Sequence, residues 1–366
     1  MIPMFKVRMS EKVPEMVTKT LQSGMVGEGE RVVEFKQALE KRFGCKNLIP
    51  LNSGTSALIL ALRLIGVEGK EVITTPFTMI ATNVAIKAAG GIPVFADINE
   101  NNVNISPKSI KEKITPNTAA ILVVHVGGVP CDMQEIMRFG IPVVSDAAHA
   151  IDARYKGEHI SAWADYTMFS FQAIKQLNTG DGGALVVRDD EQYRRGEKLK
   201  WFGMTRIVPE GMTRLEHQMT ADVLEWGYKM HMNDITASIG LANLELLDDT
   251  TKRQKENAEY YLTHLEGLPV IPADSDPSWW GFYLFVKNQR EFIQKLKEKG
   301  IETTPMWRRN DEYSVFGGYN GSYSISETGL PNMDKLQDKV VFIPVGWWLT
   351  EADREYIVKS VKEVIT

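Results

Sequence analysis

The sequence predicts an α/β fold with a large, mostly parallel sheet, followed by a smaller α+β domain. Between about residues 45 and 190, apolar runs of strand length alternate with segments of helical periodicity. Several runs are apolar almost throughout, which is typical of strands that helices cover on both faces. Repeated βα units with short links favour a binding site at the strand ends. The predicted strands are residues 47–51, 71–74, 92–96, 119–124, 141–145, 166–170 and 184–187.

The pattern changes after about residue 230, where long helical segments replace the alternation. The interval 203–222 has no clear period and is predicted to be a mobile loop. We expect a large domain over residues 1–249 and a small domain over residues 250–366. The predicted helices are residues 56–64, 78–89, 234–247, 250–265, 289–299 and 351–364, the last with Thr350 as its cap.

Composition and charge exclude several classes of protein. A net charge of −5 over 366 residues is unsuited to coating nucleic acid, because phosphates would find no excess of cations. Only two cysteines, Cys45 and Cys131, rule out a disulfide scaffold and favour a reducing cytoplasm. No signal segment is visible, and no apolar run reaches the roughly 18 residues of a membrane span. We therefore expect a cytoplasmic protein with neither nucleic acid nor membrane as a partner.

The first candidate site segment is the turn Ser53–Gly54–Thr55–Ser56, which opens a helix directly after a predicted strand. Free backbone N–H groups and hydroxyls at a helix start bind anions, most often phosphate. The alternative is an ordinary helix cap, because serine and threonine favour that position in any case. The turn is not a Walker loop, since no Gly-Lys-Ser/Thr follows it.

The second segment brings Asp146 to the end of a buried-looking strand, with His149 three residues later. A carboxylate in that position is costly without a cationic partner, and a protonated ring nitrogen of a cofactor would supply one. The alternatives are an exposed turn aspartate and a structural histidine. The spacing of cysteines and histidines is not typical of a metal site.

The third segment delivers Ser170 and then Lys175, before a glycine-rich turn over residues 179–183. A lysine that is desolvated and close to cationic groups has a lowered pKa and becomes nucleophilic. The alternative is a surface lysine ahead of a hairpin.

Together these segments resemble the sugar aminotransferases of the DegT/DnrJ/EryC1/StrS family, nearly end to end. SGTSAL is similar to the family's phosphate turn, SDAAHA to its Asp-x-x-Gln/His element and SFQAIKQLNTGDGG to its lysine segment. WGYKMHMNDITASIGLANLELLD is similar to the stretch at its dimer interface. The resemblance implies the pyridoxal-phosphate (PLP) dependent transferase fold of type I, the fold of aspartate aminotransferase.

The resemblance also implies roles for individual residues. Lys175 would form the internal Schiff base with pyridoxal 5'-phosphate and later shuttle a proton. Asp146 would pair with the pyridinium nitrogen, and His149 would contact the phenolic oxygen. The phosphate would be bound by residues of the turn and of the strand before Lys175, namely Gly54, Thr55, Ser56 and Ser170.

The chain departs from the family pattern at three places. Met79 aligns with the aromatic residue that stacks on the pyridine ring, and Phe77 is the alternative if the turn is shifted. Lys229 and His231 replace the usual Asn and Arg, and Lys229 would reach the phosphate of the neighbouring subunit. Residues 306–321 lack the usual histidine-containing substrate segment.

Having lysine rather than histidine at position 175 favours transamination over the family's dehydratase branch. The implied reaction is ping-pong transfer of an amino group, with L-glutamate as the expected donor, to a keto group at C3 or C4 of a nucleotide-linked deoxysugar. The expected assembly is a homodimer with sites at the subunit interface. The alternatives are a PLP aminotransferase acting on another keto substrate, such as a cyclitol, and a non-catalytic regulator with the same fold.

Arg308 and Arg309 lie beside Trp307 in the predicted small domain. Guanidinium groups pair bidentately with anions, so we expect both to bind the substrate's diphosphate or the donor's carboxylate. The alternative is a solvated basic loop.

Overall fold

A computed structural model describes residues 1–205, 208, 210–317 and 329–365. The described part of the chain contains thirteen α-helices and twelve strands. The helices are α1 Val13–Ser23, α2 Glu30–Phe43, α3 Gly54–Ile65, α4 Ile80–Ala88, α5 Pro107–Lys113, α6 Met133–Met137, α7 Asp190–Leu199, α8 Arg214–Thr220, α9 Asp234–Leu244, α10 Leu247–His264, α11 Gln289–Glu298, α12 Pro331–Leu336 and α13 Glu351–Val364. The strands are β1 Leu48–Leu51, β2 Glu71–Thr74, β3 Ile92–Phe95, β4 Thr118–Val124, β5 Val143–Asp146, β6 Arg154–Tyr155, β7 Glu158–His159, β8 Tyr166–Ser170, β9 Gly183–Val187, β10 Ser275–Asp276, β11 Phe282–Phe285 and β12 Val340–Ile343.

Seven strands form one large sheet in the order β1-β9-β8-β5-β4-β2-β3. Strands β3, β2, β4, β5 and β8 run parallel, and β9 is antiparallel to both β8 and β1. All seven predicted strands lie in this sheet, with bounds that differ by a residue or two. The six strands other than β3 are almost completely buried, which explains their continuous apolar runs, whereas β3 lies at the edge of the sheet and is partly exposed.

The topology gathers the ends of three strands at one edge of the sheet. Strand β1 ends at Leu51, β5 at Asp146 and β8 at Ser170. The antiparallel β9 begins at Gly183, which pairs with both Leu51 and Ser170. A Cβ at Gly183 would lie 2.5 Å from the backbone nitrogen of Gly54, so glycine is required there. The three candidate segments therefore meet at this edge.

The C-terminal part contains a two-stranded antiparallel sheet of β11 and β12, packed with α11 and α13. Its apolar side chains share one core with the face of the large sheet that α3 covers. The N-terminal residues also reach this part, since Ile2 bridges Ile301 and the indole of Trp348 donates to the Pro3 carbonyl. The division at residue 249 stays a prediction.

Two predicted elements differ from the structure. The interval 203–222 contains α8, which a capping box of Thr213 and Glu216 initiates; this helix is too short to show a clear period. The predicted helix 234–247 ends at Leu244, and α10 starts at Leu247 after a break. Within the described ranges, no helix is long and apolar enough to cross a membrane.

Candidate active site

A pocket of about 350 Å³ lies at the edge where the strands end. Its size is within the roughly 300–1,000 Å³ of small-molecule and cofactor sites. Residues from the C-terminal part, Trp280, Met306 and Trp307, complete its wall. Seven of the residues predicted from the sequence line it: Gly54, Thr55, Met79, Asp146, His149, Ser170 and Lys175.

The start of α3 provides an anion-binding turn. Ser53 caps the helix, with its hydroxyl oxygen accepting a hydrogen bond from the Ser56 N–H at 3.0 Å. The Ser56 hydroxyl donates to Asn52 at 2.7 Å, so Ser56 supports the turn and is absent from the pocket wall. A Cβ at Gly54 would lie 3.1 Å from that of Ser170, which shows how closely the turn approaches β8. The N-terminal N–H groups of α3 thus open beside the Ser170 side chain.

Asp146 lies at the end of β5 and is only 5% exposed. One carboxylate oxygen accepts a hydrogen bond from the Thr82 hydroxyl at 2.8 Å, and the other accepts from the Ala148 N–H at 3.1 Å. Burial raises the pKa of Asp146, whereas these hydrogen bonds and the charge of Lys175 oppose that rise. A cation brought into the pocket would therefore find a desolvated carboxyl group held in one orientation.

Lys175 follows β8 in a half-buried position. Burial lowers the pKa of its amine to about 8, with the Asp146 carboxylate acting in the opposite direction. Its Nζ lies 4.1 Å from the centroid of the Trp280 ring. A substantial fraction of this amine is therefore neutral at mildly alkaline pH, as a nucleophile requires.

His149 lies inside a stack of aromatic rings. Its imidazole is parallel to the Trp280 ring at 3.8 Å and to the Trp307 ring at 5.4 Å. Burial lowers the pKa of His149 well below its ordinary value, and the nearby Lys175 lowers it further. Its Nδ1 is buried and has no hydrogen-bond partner among the described residues. The pocket wall therefore contains a neutral histidine with an unused ring nitrogen.

Met79 and Phe77 lie in different surroundings. Met79 precedes α4, is 52% exposed and lines the pocket. Phe77 is buried and packs edge-on against Trp307 at 5.4 Å, outside the pocket wall. Of the two, Met79 is the side chain that is able to cover a ring bound there.

The remaining predicted residues are not brought to this pocket. Lys229 is exposed next to Trp201, and His231 packs edge-on against the same tryptophan. Arg308 pairs with Glu312 at 2.9 Å. Arg309 is buried between Asp311 and Asp334, which satisfy its guanidinium. In the structure, Arg309 therefore pairs with internal carboxylates and not with the expected anionic substrate. The part of segment 306–321 beyond residue 317 lies outside the described residues.

Sequence reasoning did not find Thr82, Trp280 or the contact of Trp307. Thr82 lies on α4, one turn after Met79, and only the spacing of a helical face would have indicated it. Trp307 is held near the pocket by the neighbouring Asn310, whose amide donates to the Thr78 carbonyl at 2.8 Å and accepts from Asn83 at 2.9 Å. These contacts join segments more than two hundred residues apart, so no local pattern reveals them.

The site fits the cofactor that the resemblance implies. Four features match pyridoxal phosphate: an N–H turn for its phosphate, the Asp146 carboxylate for its ring nitrogen, the unpartnered Nδ1 of His149 for its phenolic oxygen and the Lys175 amine for its aldehyde. Each group is present in the wall of one pocket.

Comparisons with known proteins agree with this arrangement. The sequence profile described as the DegT/DnrJ/EryC1/StrS aminotransferase family matches residues 7–362. The chain is 33% identical over 374 residues to the spore coat polysaccharide biosynthesis protein SpsC of Bacillus subtilis (strain 168), a match that covers 97% of this chain and 94% of that protein.

Solved structures show the same fold. The sugar aminotransferase CalS13 from Micromonospora echinospora is 35% identical, with a TM-score of 0.91 over 99% of this chain and 100% of that one. DesV from S. venezuelae, solved in complex with a ketimine intermediate, is 28% identical, with a TM-score of 0.87 over 96% of this chain and 94% of that one. The predicted transferase fold and the pyridoxal phosphate cofactor are thereby confirmed. This chain belongs to the DegT/DnrJ/EryC1/StrS aminotransferase family of PLP-dependent sugar aminotransferases.

Proposed function

We propose that this protein transfers an amino group from L-glutamate to a keto group, at C3 or C4, of a nucleotide-linked deoxysugar. The observation that carries the proposal is the Lys175 amine, half-buried in the pocket with a pKa lowered to about 8, near the buried carboxyl of Asp146. This pairing of a nucleophilic amine with a fixed carboxylate is the minimum that PLP-dependent transamination requires.

The side chains have separate tasks in this reaction. When bound, the cofactor supplies an electron sink for the carbon that exchanges its amino group. Asp146 holds a proton on the ring nitrogen, and the N–H groups of Gly54 and Thr55 with the Ser170 hydroxyl bind the phosphate. Lys175 Nζ holds the cofactor and moves a proton, a role that its lowered pKa suits because general bases work best near the operating pH.

The character of the pocket wall supports a sugar as the acceptor. In the described wall, the ionisable side chains are Asp146, His149, Lys175 and Asp181, and the rest is apolar or neutral. The indole of Trp307 and the thioethers of Met79 and Met306 offer apolar faces to the C–H face of a pyranose ring, and Gln172 offers hydrogen bonds to hydroxyl groups.

We further propose a homodimer in which Lys229 reaches the phosphate site of the partner subunit. Lys229 is exposed, and the segment before it exposes Leu224 by 92% and Trp226 by 61%. Large apolar side chains exposed in one segment mark an interaction surface, and a second copy of this chain would cover them. Size-exclusion chromatography with light scattering is expected to give a dimer, and Leu224→Glu is expected to weaken it.

The cytoplasm is the proposed location. Cys131 is buried, Cys45 is half-buried, and both thiols are free. Two unpaired thiols suit a reducing compartment. Fractionation of cells that express the protein is expected to leave it in the cytoplasmic fraction.

The direct test is a screen of nucleotide keto sugars with glutamate as the donor. Reconstitution with pyridoxal phosphate is expected to give a visible absorption band that Lys175→Ala abolishes together with turnover, while the fold stays intact. Amination of a cyclitol ketone but no nucleotide sugar would favour the alternative substrate. The absence of the band after reconstitution would instead favour a non-catalytic regulator.

A further inference from the structure

Trp280 contacts both reactive side chains of the site. It lies just before β11, is 4% exposed, and lines the pocket. Its ring lies 4.1 Å from Lys175 Nζ and is parallel to the His149 ring at 3.8 Å. Both Lys175 and His149 belong to the large sheet's edge, whereas Trp280 comes from a distant part of the chain.

The contact with Lys175 has two components. The face of an indole attracts an ammonium group electrostatically, and the attraction grows when water is excluded. The indole N–H also donates a hydrogen bond at 3.0 Å to the carbonyl of Ile174, the residue directly before the lysine. One side chain therefore fixes both the backbone that carries Lys175 and the position of its amine.

Such restraint matters because a lysine side chain is flexible. Its four-carbon stem has many rotamers, and this freedom must be lost each time the amine is placed for reaction. An amine already held over a ring loses less of it on reaching the reacting atoms. The titratable groups that act on Lys175 from the other elements are Asp146 and His149.

We propose that Trp280 is a positioning residue for Lys175, holding the amine over its indole ring while its N–H fixes the lysine-bearing turn. The inference rests on the proposed function in one respect, namely that Lys175 is the reacting amine. Trp280 acts through Lys175 and takes no part in bond making itself.

The competing view is that Trp280 is only a core aromatic residue. Its neighbour Trp279 offers a matched control, because it is equally buried and packs against Phe282 at 5.1 Å. A purely structural role predicts that equivalent changes at positions 279 and 280 have equivalent effects.

The test is to place fluorinated tryptophans at position 280 by nonsense suppression and to titrate Lys175 in the cofactor-free protein. Fluorine withdraws electron density from the ring face, adds little volume and keeps the N–H as a hydrogen-bond donor. The pH dependence of Lys175 acetylation, followed by peptide mass spectrometry, gives the pKa of the amine. We expect the pKa to fall stepwise with added fluorine, by roughly half a unit or more in total. The same series at position 279 is expected to leave it unchanged.

The proposal would be overturned if the pKa of Lys175 stayed constant along the fluorinated series at position 280, or if it fell equally along the series at position 279. A second variant, Trp280→Phe, keeps a ring face but removes the N–H, and is expected to slow cofactor loading more than Trp279→Phe does. Because the titration needs neither cofactor nor substrate, its outcome is independent of the proposed reaction. Normal transamination together with an unchanged pKa of Lys175 in the position-280 series would refute the role of Trp280 and leave the proposed function intact.

Discussion

The Asp146 carboxylate is a single group on which opposite effects act. Burial favours its protonated form, whereas the cofactor requires its ionised form. The two hydrogen bonds from Thr82 and from the Ala148 N–H favour the ionised form, and a bound pyridinium adds the opposite charge. The Thr82 hydroxyl in turn lies 3.0 Å from the Thr78 hydroxyl, so its orientation is also fixed.

We predict that Thr82→Val weakens cofactor binding and lowers kcat/KM by about tenfold or more. The change removes one hydrogen bond to a charged group, worth roughly 1.5–3 kcal/mol, and leaves the side-chain volume unchanged. Equilibrium dialysis with pyridoxal phosphate and steady-state kinetics measure the two effects. Thr82→Ser restores the hydroxyl and is expected to recover most of the loss, and a Val variant with wild-type affinity would contradict this role.

At the scale of an element, helix α3 is both a structural and a binding unit. Its cap, Ser53, accepts the Ser56 N–H and fixes the first turn, in which the N–H groups of Gly54 and Thr55 open towards the pocket. Stability and phosphate binding therefore both depend on the residue at position 53.

We predict that Ser53→Ala costs about 1 kcal/mol of unfolding free energy and also reduces cofactor affinity. Urea denaturation and cofactor titration measure the two. The control is Ser106→Ala, because Ser106 caps α5 in the same manner and lies outside the pocket wall. Equal losses of affinity in both variants would show that the cap acts only through stability.

The segment after α11 is fixed by contacts with two other parts of the fold. Asn310 joins it to the turn before α4, and Arg309 joins it to Asp334 on α12. Arg308, by contrast, forms its ion pair with Glu312 at the exposed surface of the segment.

We predict that Arg309→Ala destabilises the fold by roughly 3 kcal/mol, because Asp311 and Asp334 are left partly buried without their shared cation. Arg308→Ala is expected to leave stability unchanged, and a raised KM for the nucleotide sugar would support the expectation from the sequence that Arg308 binds the diphosphate. Thermal unfolding and substrate titrations on both variants separate the two roles. Unchanged Michaelis constants in Arg308→Ala would refute substrate binding by Arg308.

At the scale of the whole molecule, burial of the Lys175 amine makes the stability of the fold depend on pH. Burial lowers the pKa of Lys175 from 10.5 to about 8, so below pH 8 the folded protein carries an ammonium that is poorly hydrated. Between pH 8 and 10.5 the unfolded chain binds a proton that the folded chain does not, and the free energy of unfolding therefore rises with pH through this window.

We predict that Lys175→Met is more stable than the wild type in the cofactor-free state at about pH 7, and that this advantage shrinks as the pH rises towards about 10. Urea denaturation at several pH values gives the difference. Lys41→Met, at an exposed position on α2, is the control for removing a lysine charge. An advantage that stays constant with pH would show that the Lys175 amine is not desolvated in the fold.

The sequence predicts those parts of the molecule that consecutive residues determine. Each strand of the large sheet, the turn at Gly54 and the positions of Asp146 and Lys175 follow from short runs of apolar, small or glycine residues. The role of Trp280 does not follow from such a run, because its partner Ile174 lies 106 positions earlier in the chain. A pair of tryptophans is also equally consistent with two core residues. Arg309 looks like a substrate-binding residue in the sequence because only Asp311 of its two compensating carboxylates is close to it in the chain, while Asp334 is distant.

The aromatic stack around His149 has a practical consequence. Two of the chain's eight tryptophans, Trp280 and Trp307, line the pocket, and a bound pyridoxal absorbs near the wavelengths at which indoles emit. The intensity of tryptophan fluorescence should therefore fall when the cofactor binds and rise again when it dissociates. Intrinsic fluorescence thus reports how much of the protein holds its cofactor, without an attached dye.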